Sequence, residues 1–239
     1  MSDPSPADWQ AVIDAAWPAE RVSRAGGWTI RAAPGAGGRV NAITGDGDIA
    51  EAEAAARAEG QAPRFALWDE GPLDAALAAR GYALRDAVWL YAAPAAALAA
   101  DPLPHATAFA HWPPLAFARD VWAAGGIGPA RQAVMARAAR STGAAAILAR
   151  RDDRGAGAGF VARAGDVALV SAIHVLPRFR RAGAGGLILR AAAHWALGQG
   201  CDRVALVVTR GNAPANELYR SKGMRVVAGY HYRVHPEGA

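Results

Sequence analysis

Residues 177–186 read PRFRRAGAGG, between an apolar run, VALVSAIHVL at 167–176, and LILRAAAHWAL at 187–197. The first run reads as a buried strand and the second as a helix, so three arginines and three glycines occupy a strand-to-helix turn. Such a turn suits phosphate, because a helix N-terminus presents unpaired N–H groups and the positive end of its dipole, and small side chains let a ligand approach. Spacing excludes two familiar phosphate loops. A P-loop requires Gly-Lys-Ser/Thr at its end, but Gly186 is followed by Leu187. The dinucleotide fingerprint, started at Gly183 and Gly185, requires glycine where the chain has Ile188.

What remains is Arg180-Arg181-Ala182-Gly183-Ala184-Gly185, which fits Q/R-x-x-G-x-G/A. Here the chain resembles the GNAT superfamily of acetyl-CoA-dependent N-acetyltransferases, in which this segment wraps the donor's pyrophosphate. The likeness extends over roughly 113–234. VALVSAIHVLPRFRRAGAGGLIL (167–189) is similar to the family's strand 4, loop and helix 3. RVALVVTRGNAPANELYRSKGM (203–224) is similar to its strand 5, Asn-containing turn and helix 4.

The resemblance implies an α/β (α+β) fold with a mixed, mostly antiparallel sheet flanked by helices and strands 4 and 5 splayed apart. It implies that acetyl-CoA is the acyl donor, its phosphates held by the backbone from Arg180 and Arg181 through Ala182, Gly183, Ala184, Gly185 and Gly186. The pantetheine arm would lie along Ile173, His174 and Val175, with an N–H near Val175 stabilising the oxyanion. Tyr219, seven residues after Asn212, matches the tyrosine that protonates the departing thiolate. Asn212 and Asn216 would touch the pantetheine or cap the following helix. His174 and Asp166 are candidate bases, although His174 reads more readily as an inward or rim histidine without a catalytic role. His111, Trp112 and Trp122 would line the acceptor pocket or the core, and GYHYRV (229–234) sets Tyr230 and Tyr232 on one face against His231 and Arg233 on the other.

Composition sets the frame. The 239 residues, 53% hydrophobic, suffice for a core. Cys201 is the only cysteine, so neither a disulfide framework nor a thiolate metal cluster is expected, and no metal is called for. The N-terminus MSDPSPADWQ is acidic and polar and no apolar run suits a membrane helix, which points to a cytoplasmic protein without a membrane partner. Residues 1–100 carry 8 basic against 13 acidic residues, a net −5, whereas 101–239 carry 18 against 8, a net +10. Only the second half is expected to handle an anion.

Periodicity predicts helices near 6–16, 48–59 and 72–80 and strands near 27–33, 38–43, 64–68 and 85–92 in the first half. In the second it predicts helices near 113–124, 129–141, 184–197 and 213–221 and strands near 144–150, 158–163, 166–175, 203–209 and 225–234. The Pro/Ala-rich APAAALAADPLP at 93–104 reads as a linker, giving domains 1–100 and 101–239. LDAALAARGYALRDAVWLY and ANELYRSKGMRVVAGYHY both run helix, Gly, strand; superposing Gly81 on Gly223 sets Leu77 on Tyr219 and Leu90 on Tyr232, which suggests a duplication. At the place of a phosphate loop the first half has TGDGDIAEAE (44–53), whose carboxylates repel pyrophosphate. The expectation is therefore two GNAT-like domains, the N-terminal one degenerate and the C-terminal one binding acetyl-CoA.

Direct transfer of acetyl from acetyl-CoA to a primary amine is the leading functional reading. A catalytically idle acyl-CoA-binding or partner-binding module is the alternative. Nucleic acid is not expected as a partner, since the basic residues follow the loop rather than interleaving with exposed aromatics. A homodimer is left open, as is the identity of the amine.

Overall fold

Helix α1 (Pro6–Ala16) starts where Ser5 and Asp8 close a capping box, and it buries Trp9, Ile13 and Ala16 on one face. The computed structural model describes residues 4–238. The other helices are α2 (Ile49–Ala58), α3 (Pro72–Ala79), α4 (Ala95–Leu98), α5 (Ala116–Ala124), α6 (Pro129–Ser141), α7 (Ala184–Gly198) and α8 (Ala213–Ser221). The strands are β1 (Arg21–Ala25), β2 (Trp28–Ala32), β3 (Ile43–Gly45), β4 (Arg64–Leu67), β5 (Ala83–Pro94), β6 (Ala108–His111), β7 (Ala144–Arg151), β8 (Arg154–Ala164), β9 (Val167–Val175), β10 (Arg203–Thr209) and β11 (Arg225–Val234).

The eleven strands among the described residues form one mostly antiparallel sheet, in the order β1-β2-β3-β4-β11-β5-β10-β9-β8-β7-β6. Apart from β6 at one end, the order is symmetric about the central pair. Outward from β11 come β4, β3, β2 and β1, and outward from β5 come β10, β9, β8 and β7. Directions match on the two sides as well: β4 and β10 are antiparallel to their central neighbours, β3–β4 and β9–β10 are parallel, and the next two pairings on each side are antiparallel. The strands that follow Gly81 and Gly223 are the central pair itself, antiparallel, with Val88 opposite Tyr230. Both glycines adopt the left-handed conformation that ends a helix, φ +84° and +77°.

The sheet is therefore continuous across the two halves, where the sequence suggested one sheet in each. Strand β5 of the first half lies between β10 and β11 of the second, and β11 lies between β4 and β5. The apolar core is shared too. One cluster joins Trp9, Ile13 and Trp17 around α1 to Phe160 and Leu169 of β8 and β9, and on the other face α7 packs Ile188 and Ala192 over Tyr91 of β5 and Ile147 of β7.

Several boundaries differ from the sequence reading. Residues 93–104 are no simple linker: Ala93 and Pro94 complete β5, and Ala95 and Leu98 are buried on the core beside α7. The strand expected at 38–43 is a 3-10 turn at Gly38–Val40 after Gly37, whose φ is +93°, with the strand itself at Ile43–Gly45. Strands β1 and β6 escaped notice because they lie at the two ends of the sheet and are largely exposed, so no apolar alternation marks them. Helix α5 begins at Ala116, three residues later than expected, after a turn in which Leu115 N–H donates to His111 Nε2 at 3.2 Å.

Candidate functional site

Strand β9 sets the geometry. Its first residues, Val167–Val170, are buried and pair in parallel with Arg203–Leu206 of β10. Beyond Val170 that pairing ends, although β9 runs on to Val175 and β10 to Thr209. The strands part at a bulge, where Ala172 has φ +53° and the β8–β9 register shifts between the Ala158/His174 and Phe160/Ser171 pairs. Trp122 of α5 holds the bulge by donating its indole N–H to the Ala172 carbonyl at 3.0 Å. Leu176 N–H donates to Ala156 O at 2.9 Å, so the alternation of an antiparallel ladder turns the N–H of Val175 away from β8 and toward the gap.

The loop after β9 delivers a run of amides to the same place. Arg181 and Gly183 have φ +63° and +81°, and Gly183 is the N-cap of α7 without any side chain to cap it. The N–H groups of Arg180 and Ala182 are taken by Pro177 O at 3.2 Å and Phe179 O at 3.4 Å. Those of Arg181, Gly183, Ala184, Gly185 and Gly186 have no protein acceptor among the described residues. The amide cradle thus omits Ala182, which the sequence reading had included.

Ile173, His174, Val175, Arg180, Arg181, Gly183, Ala184, Gly185, Gly186, Asn212 and Tyr219 all line one cleft of about 820 Å³. Ala182 and Asn216 do not. Asn216 is 4% exposed and turned inward: its amide donates to the carbonyls of Thr209, Arg210 and Asn212 at 3.1, 3.3 and 2.8 Å, and its oxygen accepts from Tyr91 at 3.0 Å. Its work is to shape the β10–α8 turn. Asn212 caps α8, accepting from Ala215 N–H at 3.3 Å. Tyr219 sits 5.7 Å from the Tyr91 ring, and burial, with Tyr91 beside it, pushes its phenol up to about 12. The His174 imidazole packs against Gly125, and burial together with the Arg180 charge lowers its basicity. Arg181 pairs with Glu217 at 3.2 Å, both exposed.

Two glycines of the loop have different reasons. Gly183 needs its positive φ, and a Cβ there would come within 2.5 Å of Arg151 Nη2. A Cβ on Gly185 would meet Leu218 Cδ2 at 2.8 Å, so this glycine serves the approach of α8. Arg151, at the tip of the β7–β8 hairpin, is a cation at the loop that the sequence reading missed. Its Nε is buried with no hydrogen-bond partner among the described residues. Nothing in the local sequence marks Arg151, because the hairpin reaches the loop only through the sheet.

A second depression of about 370 Å³ is lined by Ser171 and Ala172 of β9 and Val207–Thr209 of β10, where the two strands part, and is walled by Tyr230 and Tyr232. The alternation in GYHYRV is as expected: the Tyr232 hydroxyl donates to that of Tyr230 at 3.3 Å on one face. On the other, His231 and Arg233 both bind Asp74 of α3. Asp166 lies in the β8–β9 turn, at the far end of β9 from Val175, and is no base for this site. Trp122 is core; Trp112, exposed, packs on Phe160 at 5.9 Å, and neither lines this depression.

The family model of the Acetyltransferase (GNAT) family matches residues 106–224. A GCN5-related N-acetyltransferase from Kribbella flavida has the same fold, with TM-score 0.66, 20% identity and coverage of 91% of this chain and 90% of that one. A conserved protein of unknown function from Staphylococcus epidermidis follows at TM-score 0.65, 12% identity, 90% and 93%. A tandem GNAT protein from the clavulanic acid biosynthesis pathway aligns at TM-score 0.54, 18% identity, 75% and 66%. No curated protein matches the chain to a significant degree. Among the described residues no helix is long and apolar enough to cross a membrane. With the phosphate-type loop, the parted strands and the matched span 106–224 in view, the chain belongs to the acetyltransferase (GNAT) family.

Proposed function

We propose that the protein is an N-acetyltransferase that moves the acetyl group of acetyl-CoA directly to a primary amine. The observation that carries this reading is the meeting, in one cleft, of five unengaged backbone amides around the start of α7 with Ile173–Val175, the part of β9 that has left β10. Amides aimed outward from a helix N-terminus favour a diphosphate; each helix-terminus interaction is worth about 0.3–1 kcal/mol, and several act together here. Arg151, Arg180 and Arg181 add charge around them.

In this reading the amine enters from the second depression and its nitrogen attacks the thioester carbonyl. The Val175 N–H stabilises the oxyanion, C–N forms, C–S breaks, and Tyr219 gives its proton to the departing thiolate. A phenol raised to about 12 is fully protonated at neutral pH and so available as the donor. The ammonium loses one proton to solvent before attack and the new C–N nitrogen loses a second as the intermediate collapses, while the Tyr219 phenolate regains its proton from solvent. Isothermal calorimetry with acetyl-CoA and release of free thiol in the presence of amines test the proposal. Saturable binding with amine-dependent thiol release supports it; absence of both rules it out.

The division of labour between residues 1–100 and 101–239 belongs to the same proposal: the first is a degenerate GNAT-like half, the second binds the donor. Matching strand order supports a common plan. At the corresponding helix start Asp48 caps α2, accepting from Ala50 N–H at 2.9 Å, with Glu51 in the first turn, and buried Leu77 stands where Tyr219 stands in the other half. That end of the first half repels a phosphate.

A further inference from the structure

The second depression has walls of definite charge. Arg39 and Asp86 reach it from the first half and Arg131 from the second. None of the three enters an ion pair among the described residues. Arg39 is fixed on two sides: its Nη1 donates to Ser171 Oγ at 3.3 Å, and its guanidinium lies over the Trp17 ring at 5.7 Å. Arg131 lies against the Gly37 backbone, where a Cβ would come within 3.0 Å of its Nη2. Asp86 occupies the irregularity in the β5–β11 ladder, between the Tyr230 and Tyr232 registers, with φ +46°. An aspartate tolerates that conformation better than most residues, and the bulge re-aims its side chain.

Two oriented guanidinium groups without an anion of their own disfavour an acceptor that is only cationic, since like charges brought together are repelled. A planar fork of N–H donors is complementary to a carboxylate. We propose that the acceptor is a small amine that also carries a carboxylate: Arg39 and Arg131 bind the carboxylate, and Asp86 receives the ammonium. The cavity, at the low end of the range for small-molecule sites, fits an amino-acid-like molecule rather than a polypeptide segment. The inference rests on the acetyl-transfer reading for the donor side, and it gives the first half a positive task, recognition of the acceptor.

The test uses the full-length protein and a ladder of ω-amino carboxylates from β-alanine to 6-aminohexanoate, each paired with the alkylamine of the same length. With acetyl-CoA present, at least one carboxylated member is expected to exceed its partner by about tenfold or more in kcat/KM. Arg131→Gln, at an exposed helix position, erases that preference and leaves acetyl-CoA affinity unchanged; Arg39→Gln does the same. Equal or better turnover of the plain alkylamines, or a preference that survives both substitutions, overturns the proposal. If no amine is acetylated, the transfer reading fails by itself, and calorimetry decides the site: binding of an ω-amino carboxylate that Arg131→Gln abolishes keeps it, and no binding by any member of the ladder overturns it.

Discussion

Trp122 donates its indole N–H to the carbonyl of Ala172 at 3.0 Å, and this one bond ties α5 to the bulge at which β9 leaves β10. Trp122 is fully buried, so removing the indole N–H leaves a carbonyl without its partner at the point where the two strands part. Trp122→Phe retains most of the packing and is expected to cost about 1–3 kcal/mol, the penalty for an unsatisfied buried group. Urea unfolding checks the stability. Acetyl-CoA affinity of the folded variant should fall as well, since the bulge opens the gap; unchanged affinity would detach the bulge from the site.

Gly183 and Gly185 separate backbone conformation from packing. Gly183→Ala must hold an L-residue at φ +81° and press a methyl on Arg151, so acetyl-CoA should bind at least tenfold more weakly, with some loss of stability. Gly185→Ala meets only the end of the flexible Leu218 side chain, and its loss in affinity should be smaller. Calorimetric titration of the two variants ranks them.

Much of the fold around the candidate site was legible in the sequence because that segment is local. The strand, the loop and the helix from Val167 to Leu197 carry their own signals: an apolar run, glycines, then an apolar helix. What escaped depends on contacts between distant segments. Arg151 reaches Gly183 through a hairpin, and Arg39 reaches Ser171 from 132 positions away. Asp86 reads as an ordinary strand residue until the β5–β11 irregularity turns it. The strand exchange was equally hidden, since periodicity gives a strand's faces but not its neighbours.

That exchange bears on folding. Strand β5 is bonded on both edges by strands of the second half, and β4 has β11 as one of its neighbours. The protein should therefore unfold in a single cooperative transition, with tryptophan fluorescence and far-ultraviolet circular dichroism coincident. Separate expression of residues 1–100 or 101–239 should give chains lacking a fixed tertiary fold. Two resolved transitions would show that the halves are energetically independent.

Asp74 makes stability depend on acid. The Arg233 guanidinium, with His231 also bonded, holds its carboxyl at about 2, below the ordinary value of 3.8. A depressed carboxyl stabilises the fold above its unfolded pKa and loses that contribution as pH falls through the folded one, so the window is from about pH 4 to about pH 2. Asp74→Asn should cost on the order of 1–2 kcal/mol at pH 7, allowing for solvent screening, and the gap to the parent should close across that window. Denaturation series at pH 7, 4 and 2.5 check it. A gap at pH 2.5 as large as that at pH 7 would assign the effect to packing.

Tyr219 offers the sharpest division between turnover and binding. Its phenol faces the cleft from α8 and is 7% exposed, and burial raises it to about 12. As a proton donor it is active when protonated, so it imposes no alkaline decline in kcat until pH nears 12, well above the range for a free phenol. Tyr219→Phe keeps the ring against Tyr91 and deletes only the hydroxyl, which in the proposed mechanism donates in the transition state and not in the ground state. The expected result is a fall of about 10²–10⁴-fold in kcat with acetyl-CoA affinity unchanged, the range for loss of a general acid. A matched fall in affinity with kcat preserved would make Tyr219 a wall of the donor cleft and move the acid elsewhere.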